Sequence, residues 1–274
     1  MGLVYACITP HGSSIIEELA GNERELFRPT REAMVKLGDK MKSYQPDTII
    51  VLTPHGLRLR GYANIYISES CRGSLSDNGN TISADFKCDR ELAETILKKA
   101  QEVHIPIIGA NYGTISGEAS NIEMDWGTLI PLWYMGARDE KRPQLVVIGP
   151  SREIPLEDLV KLGKIIAEAA LASGKKIALV ASADQAHAHD PNGIYGFHPA
   201  AKEYDSIVTD IVKNNEFSRL LDFDMNFVND AKPDSLWQMV ILYGTSLVVP
   251  MKSQFYAYDA PTYFGMLVAG MDIL

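Results

Sequence analysis

Two copies of one tetrapeptide, Thr9-Pro10-His11-Gly12 and Thr53-Pro54-His55-Gly56, each close a short apolar run. Proline ends a strand by removing a donor, and glycine permits the turn that follows. The device therefore delivers an imidazole at a strand end twice. Two neutral imidazoles on neighbouring loops suit a first-row divalent metal. One added carboxylate makes the facial triad that leaves positions open on Fe(II). The spacing of His11 and His55 is unlike the helical His-Glu-x-x-His of zinc proteases, so these ligands must be gathered from separate elements. A third segment, Ser182-Ala183-Asp184-Gln185-Ala186-His187-Ala188-His189, follows another apolar run, so four of the six histidines follow strand ends. Polar loops tolerate a single histidine without purpose, but a repeated tetrapeptide is harder to explain by solvation alone. His104, between Val103 and Ile105, reads as structural.

The elements that must position these residues follow from periodicity. Leu3–Ile8, Thr48–Leu52, Ile105–Gly109, Gln144–Ile148 and Lys176–Ala181 are short and rich in Val, Ile or Leu. Apolar on both faces, they read as covered parallel strands. Between them, Arg31–Tyr44, Arg90–Val103, Leu156–Ala172, Ala200–Asn214 and Ser235–Leu247 carry helical spacing. The alternation predicts an α/β fold with a mainly parallel central sheet flanked by helices. In such a sheet ligands bind beyond the carboxyl ends of the strands. Gly61–Cys88 differs: alternating Ala63–Ser68, the turn-like Ser76–Asn80 and Thr81–Phe86 predict a β-hairpin excursion. Lys252–Tyr258 and Tyr263–Ala269 suggest a last strand pair. No linker interrupts residues 1–274, which read as a single domain.

The 274 residues are 46% hydrophobic and 22% charged, with a net charge of −9. That balance speaks against a nucleic-acid binder, which carries a basic footprint, and against a protein held on anionic lipid. The longest nearly apolar run, Leu129–Ala137, is far short of the roughly 20 residues that span a bilayer. Met1–Ile8 lacks a basic flank and is too short for a signal peptide. Three widely spaced cysteines, Cys7, Cys71 and Cys88, fit a reducing compartment better than a disulfide framework. The expectation is a cytoplasmic protein.

With these residues in view, the chain resembles the class III extradiol ring-cleavage dioxygenases, the family of the catalytic subunit of protocatechuate 4,5-dioxygenase. Memo-type proteins are its non-dioxygenase relatives. The resemblance runs from Thr9-Pro10-His11-Gly12 to Tyr263-Phe264-Gly265-Met266. Between these lie the second Pro-His-Gly turn, Asp125-Trp126-Gly127-Thr128-Leu129-Ile130-Pro131-Leu132, and Ser182–His187 with Tyr195-Gly196-Phe197-His198-Pro199. Lys232-Pro233-Asp234-Ser235-Leu236-Trp237 completes the set.

The resemblance implies a non-haem Fe(II) held by His11, His55 and a late carboxylate. Asp234 matches the family's Glu best, with Asp230 as the fallback. It implies His187 as acid/base. Beside it, Asp125 reads either as support behind the metal edge or as the cap of a helix starting near Thr128; His189 and His198 read as lining the substrate pocket, or His198 as a brace of its own loop. The implied substrates are O2 and a catechol or aminophenol whose ring is opened. A homodimer, with or without a small accessory subunit, is the implied assembly.

Two departures stand out. Trp126 occupies a place where the family commonly has His, and Asp234 is one methylene shorter than Glu. They leave open a zinc hydrolase or lyase on the same ligands, or a Memo-like binding protein without turnover. Trp126, Trp133 and Tyr134 are read as core. Arg58 and Arg60 read equally as solvated charges or as attractors of a substrate carboxylate, and Cys7 as a buried small hydrophobe.

Overall fold

In the computed structural model, which describes residues 1–274, the apolar runs assemble into one eight-stranded sheet. Its members are β1 (Gly2–Thr9), β2 (Thr48–Leu52), β3 (Ala63–Tyr66), β6 (Ile107–Ala110), β8 (Gln144–Gly149), β9 (Lys176–Ser182), β10 (Met251–Asp259) and β11 (Met266–Ile273). Their order is β10-β11-β1-β9-β2-β8-β3-β6. The central four, β1, β9, β2 and β8, run parallel to one another. The pair β10–β11 joins β1 antiparallel at one side, while β3 runs antiparallel to β8 and parallel to β6 at the other.

Alternate side chains of each central strand enter different layers. Ala6, Ile8, Ile50 and Leu52 pack with α2 (Arg90–Glu102), α4 (Leu156–Ala172), α5 (Pro199–Asn214), α6 (Met225–Ala231) and α7 (Leu236–Ser246). Tyr5, Cys7, Ile49 and Val51 pack with α1 (Arg28–Ser43), α3 (Trp126–Tyr134) and a small second sheet. Burial on both faces is what apolar, covered parallel strands require. The helices α4 and α7 cross at backbone contact. A Cβ on Gly163 would lie 2.0 Å from the Ile241 carbonyl oxygen, and one on Gly244 2.2 Å from that of Val160.

The hairpin turns within Ser76–Asn80 and its second strand covers Thr81–Phe86, as the sequence predicts, but its first strand is not Ala63–Ser68. Ala63–Tyr66 belongs to the main sheet as β3. The hairpin is β4 (Ser70–Asp77) with β5 (Asn80–Lys87), and β7 (Asn121–Glu123) completes its three-stranded sheet. The misleading residue is Asn64, which looks like a solvent-facing position but is 2% exposed. Its amide donates to the carbonyls of Leu57 and Gly149 at 2.7 and 3.3 Å, so a buried polar group mimics an outward one. The hairpin turns at Asn78-Gly79, both with positive φ, as a two-residue hairpin loop of the primed type demands.

The three histidine-bearing segments are neighbours because β1, β9 and β2 are. Thr9 pairs with Ser182, and Ala181 with Leu52, so all three strands end at one level of one sheet edge.

Candidate metal centre and substrate cleft

His11 leaves β1 and is 2% exposed; His55 leaves β2 and its side chain is 20% exposed. Their Nε2 atoms face each other at 3.0 Å with the rings nearly perpendicular. Asp234 Oδ2 lies 3.3 Å from His11 Nε2 and 3.5 Å from His55 Nε2. Two nitrogens each bound at ~2.1 Å to one ion, at right angles, stand ~3.0 Å apart. The other oxygen, Asp234 Oδ1, is buried and has no hydrogen-bond partner. A buried orphan of that kind calls for a ligand. The donor set and the convergence of Nε2, Nε2 and carboxylate therefore fit a divalent cation.

Both histidines are held from behind. The His11 N–H donates to Asp184 Oδ1 at 2.9 Å, and His11 Nδ1 lies 3.0 Å from Ser182 Oγ. The His55 N–H donates to Thr53 Oγ1 at 3.2 Å, and Thr53 Oγ1 donates to Asp125 Oδ1 at 2.7 Å. Asp125 also caps α3, accepting from the Thr128 N–H and hydroxyl. Asp234 sits in the turn between α6 and α7, after Lys232 in the left-handed region (φ 57°). It does not cap α7; Ser235 holds that position.

The charges are coupled. Burial alone would lower the His11 imidazole, but Asp184 and Asp234 outweigh it and raise it to about 9. Burial resists ionisation of Asp234 too, yet His11 and the contacts from both imidazoles hold its carboxyl well below the usual range. Asp184, buried and beside Asp234, is pushed up. A proton and a metal ion thus compete for the same nitrogens.

A cleft of about 690 Å³ opens on this centre, within the range of small-molecule sites. Phe27, Trp126, His187, Tyr195, Tyr263 and Phe264 line it. His187 lies parallel to Phe264 (ring centroids 5.8 Å apart) and edge-on to Tyr195 at 5.4 Å. The Lys232 carbonyl accepts from His187 Nδ1 at 2.9 Å. In neutral His187 this leaves Nε2 as the proton acceptor. Leu75 and Asp77 of the hairpin form part of the wall, and Asp77 accepts from the Ser13 hydroxyl at 2.8 Å.

The structure brings together His11, His55 and Asp234 as one metal-competent group. It places His187 at the same cleft and Asp125 behind His55. It does not bring the others there. His189 Nε2 pairs with the buried Asp205 at 2.7 Å, which also accepts from the Tyr258 hydroxyl. His198 caps α5 and is exposed, and Asp230, 3.9 Å from His198, points to the surface. Arg58 is exposed, and the Arg60 side chain, 93% exposed, pairs with Glu153; neither lines the cleft.

Trp126 is not core. It is 47% exposed and stacks on His55 with ring centroids 4.1 Å apart. The sequence assigns no role to Asp184, Ser182 or Tyr263. All three lie inside the stretches that carry the resemblance, Ser182–His187 and Tyr263–Met266, but no pattern singles them out there.

A family model described as the catalytic LigB subunit of aromatic ring-opening dioxygenase matches residues 5–265. Protein CA_C1420 of Clostridium acetobutylicum is 22% identical over 253 residues, which is 92% of this chain and 54% of that protein. The chain thus spans about half the length of the curated relative it matches. Among solved structures, the crystal structure of uncharacterized protein JW3007 from Escherichia coli K12 is similar, with a TM-score of 0.58 and 14% identity. That match covers 97% of this chain and 99% of the other, and at such identity it is a likeness of fold.

Proposed function

The chain belongs to the family of the catalytic LigB subunit of aromatic ring-opening dioxygenase, and from that premise we propose that it opens the ring of a catechol- or aminophenol-type substrate with O2 at an Fe(II) centre. The observation that carries the reading is the convergence of His11, His55 and Asp234, with both histidines lining an aromatic-walled cleft. Bound there, Fe(II) would supply Lewis acidity, a template for two adjacent substrate oxygens and the electrons for oxygen chemistry.

The protein's own contribution is positional and protonic. Trp126, Tyr195, Tyr263 and Phe264 offer faces and edges to a flat ring. His187, its Nδ1 donating to the Lys232 carbonyl, presents Nε2 to a substrate hydroxyl and can take its proton. Returning that proton to the opening product is the acid half of the same role. Asp234 stays ionised, so the two neutral imidazoles and one carboxylate leave a +2 ion with a net charge of +1, which favours an anionic diolate. Trp126 covers one side of His55 and adds a wall where a histidine would add a donor.

The test is oxygen uptake by anaerobically purified, Fe(II)-loaded protein with catechol, protocatechuate, gallate and 2-aminophenol. The reading expects uptake with a yellow ring-opened product, lost in His55→Ala and strongly reduced in His187→Ala. A protein that refuses Fe(II) and retains Zn(II) would move the site to hydrolytic chemistry on the same ligands.

A further inference from the structure

Both imidazole ligands lean on the same few residues, the first turn of α3. Ser182 Oγ lies 2.5 Å from the Gly127 carbonyl oxygen and 3.0 Å from His11 Nδ1. A carbonyl oxygen only accepts, and a serine has one hydroxyl hydrogen, so that hydrogen goes to Gly127. Ser182 Oγ is then left to accept, and His11 Nδ1 must be the N–H that it accepts. With Nδ1 protonated, the lone pair that a metal needs is on Nε2, the atom facing His55 and Asp234. On the other side of the turn, Asp125 accepts from Thr53, whose oxygen accepts from the His55 N–H.

Gly127 makes the double contact possible. A Cβ there would lie 2.7 Å from Thr53 Oγ1, 2.9 Å from Asp125 Oδ1 and 3.1 Å from His55 Cδ2. Any side chain would push α3 off the β2 exit and carry its carbonyl away from Ser182. Helix capping alone needs neither Ser182 nor a glycine at 127.

We propose that Ser182 and Gly127 are positioning residues: the Gly127 carbonyl, acting through the Ser182 hydroxyl, fixes His11 as an Nε2 ligand, while the same turn fixes His55 through Asp125 and Thr53. The proposal rests on the metal reading of the site, and its test separates the two. Zn(II) serves as a diamagnetic probe, titrated against a competing chromophoric chelator. Ser182→Ala should bind it 10–100-fold more weakly than wild type, the usual effect of losing a partner behind a ligand. In the zinc-loaded wild type, long-range 1H–15N NMR should show His11 protonated at Nδ1 and bound through Nε2.

If Ser182→Ala does not fold, the wild-type spectrum decides alone. Wild-type affinity in a folded Ser182→Ala, or His11 bound through Nδ1, overturns the clamp and leaves the metal site standing. A wild type that binds neither Zn(II) nor Fe(II) removes the metal reading and the clamp with it.

Discussion

The metal-free protein should lose stability as pH rises from 6.5 to 9.5, and His11 sets the window. Its folded imidazole is raised from 6.5 to about 9, because Asp184 and Asp234 outweigh the cost of burial. A group raised on folding adds stability that is complete below its unfolded value and is lost as pH passes the folded one. At about 1.36 kcal/mol per pKa unit, this rise is worth about 3 kcal/mol. For a chain of this size that corresponds to ~6–12 °C in Tm. The assay is thermal or urea unfolding of chelator-treated wild type and His11→Gln across the window. The difference between the two curves should shrink by about 3 kcal/mol from pH 6.5 to 9.5. Saturating metal, which replaces the proton at Nε2, should flatten the wild-type curve. Parallel curves for wild type and His11→Gln would refute the electrostatic account of the pocket.

Other outcomes follow from the same geometry. Metal binding at pH 7.5 should release about one proton from His11, seen as a buffer-dependent heat in calorimetry. Trp126→Ala removes the wall stacked on His55 and should weaken catechol binding several-fold while leaving metal stoichiometry unchanged. Gly163→Ala drives a methyl into the Ile241 carbonyl at the α4–α7 crossing and should cost ~1–3 kcal/mol in urea unfolding. Arg31 is buried, with its guanidinium donating to the carbonyls of Ser14, Ile15 and Arg24. Arg31→Met should cost ~1–3 kcal/mol and loosen the loop that walls the cleft, read as faster amide exchange at residues 13–20.

Much of the fold was legible because covered strands leave an unbroken apolar signature. Thr48–Leu52 was read with the bounds the structure gives, and Gln144–Ile148 one residue short of them. Asn64 broke the rule that polar means outward: its amide meets two carbonyls inside the protein, a long-range fact no local pattern carries. The two histidines whose Nε2 atoms face each other were legible through their repeated tetrapeptide. His189 was not, since its place depends on Asp205, sixteen residues away on α5. Trp126 looked like core because the run after it is apolar, yet it stands at the first position of α3, at the rim of the cleft. Ser182 lies fully buried behind His11, and Asp184 lines the cleft beside it; a serine or aspartate after a strand has no distinctive pattern. Only adjacency of β1, β9 and β2 gives them their meaning.

The most direct test of the account is metal stoichiometry. Anaerobic equilibrium dialysis of wild type, His55→Ala and Asp234→Asn against Fe(II), read by elemental analysis, measures it without depending on any substrate. The account predicts one ion per wild-type chain and a loss of at least tenfold in affinity for each variant, with the folds intact by circular dichroism. Wild type without bound metal, or variants that hold it as tightly as wild type, would contradict the claim that His11, His55 and Asp234 form the centre.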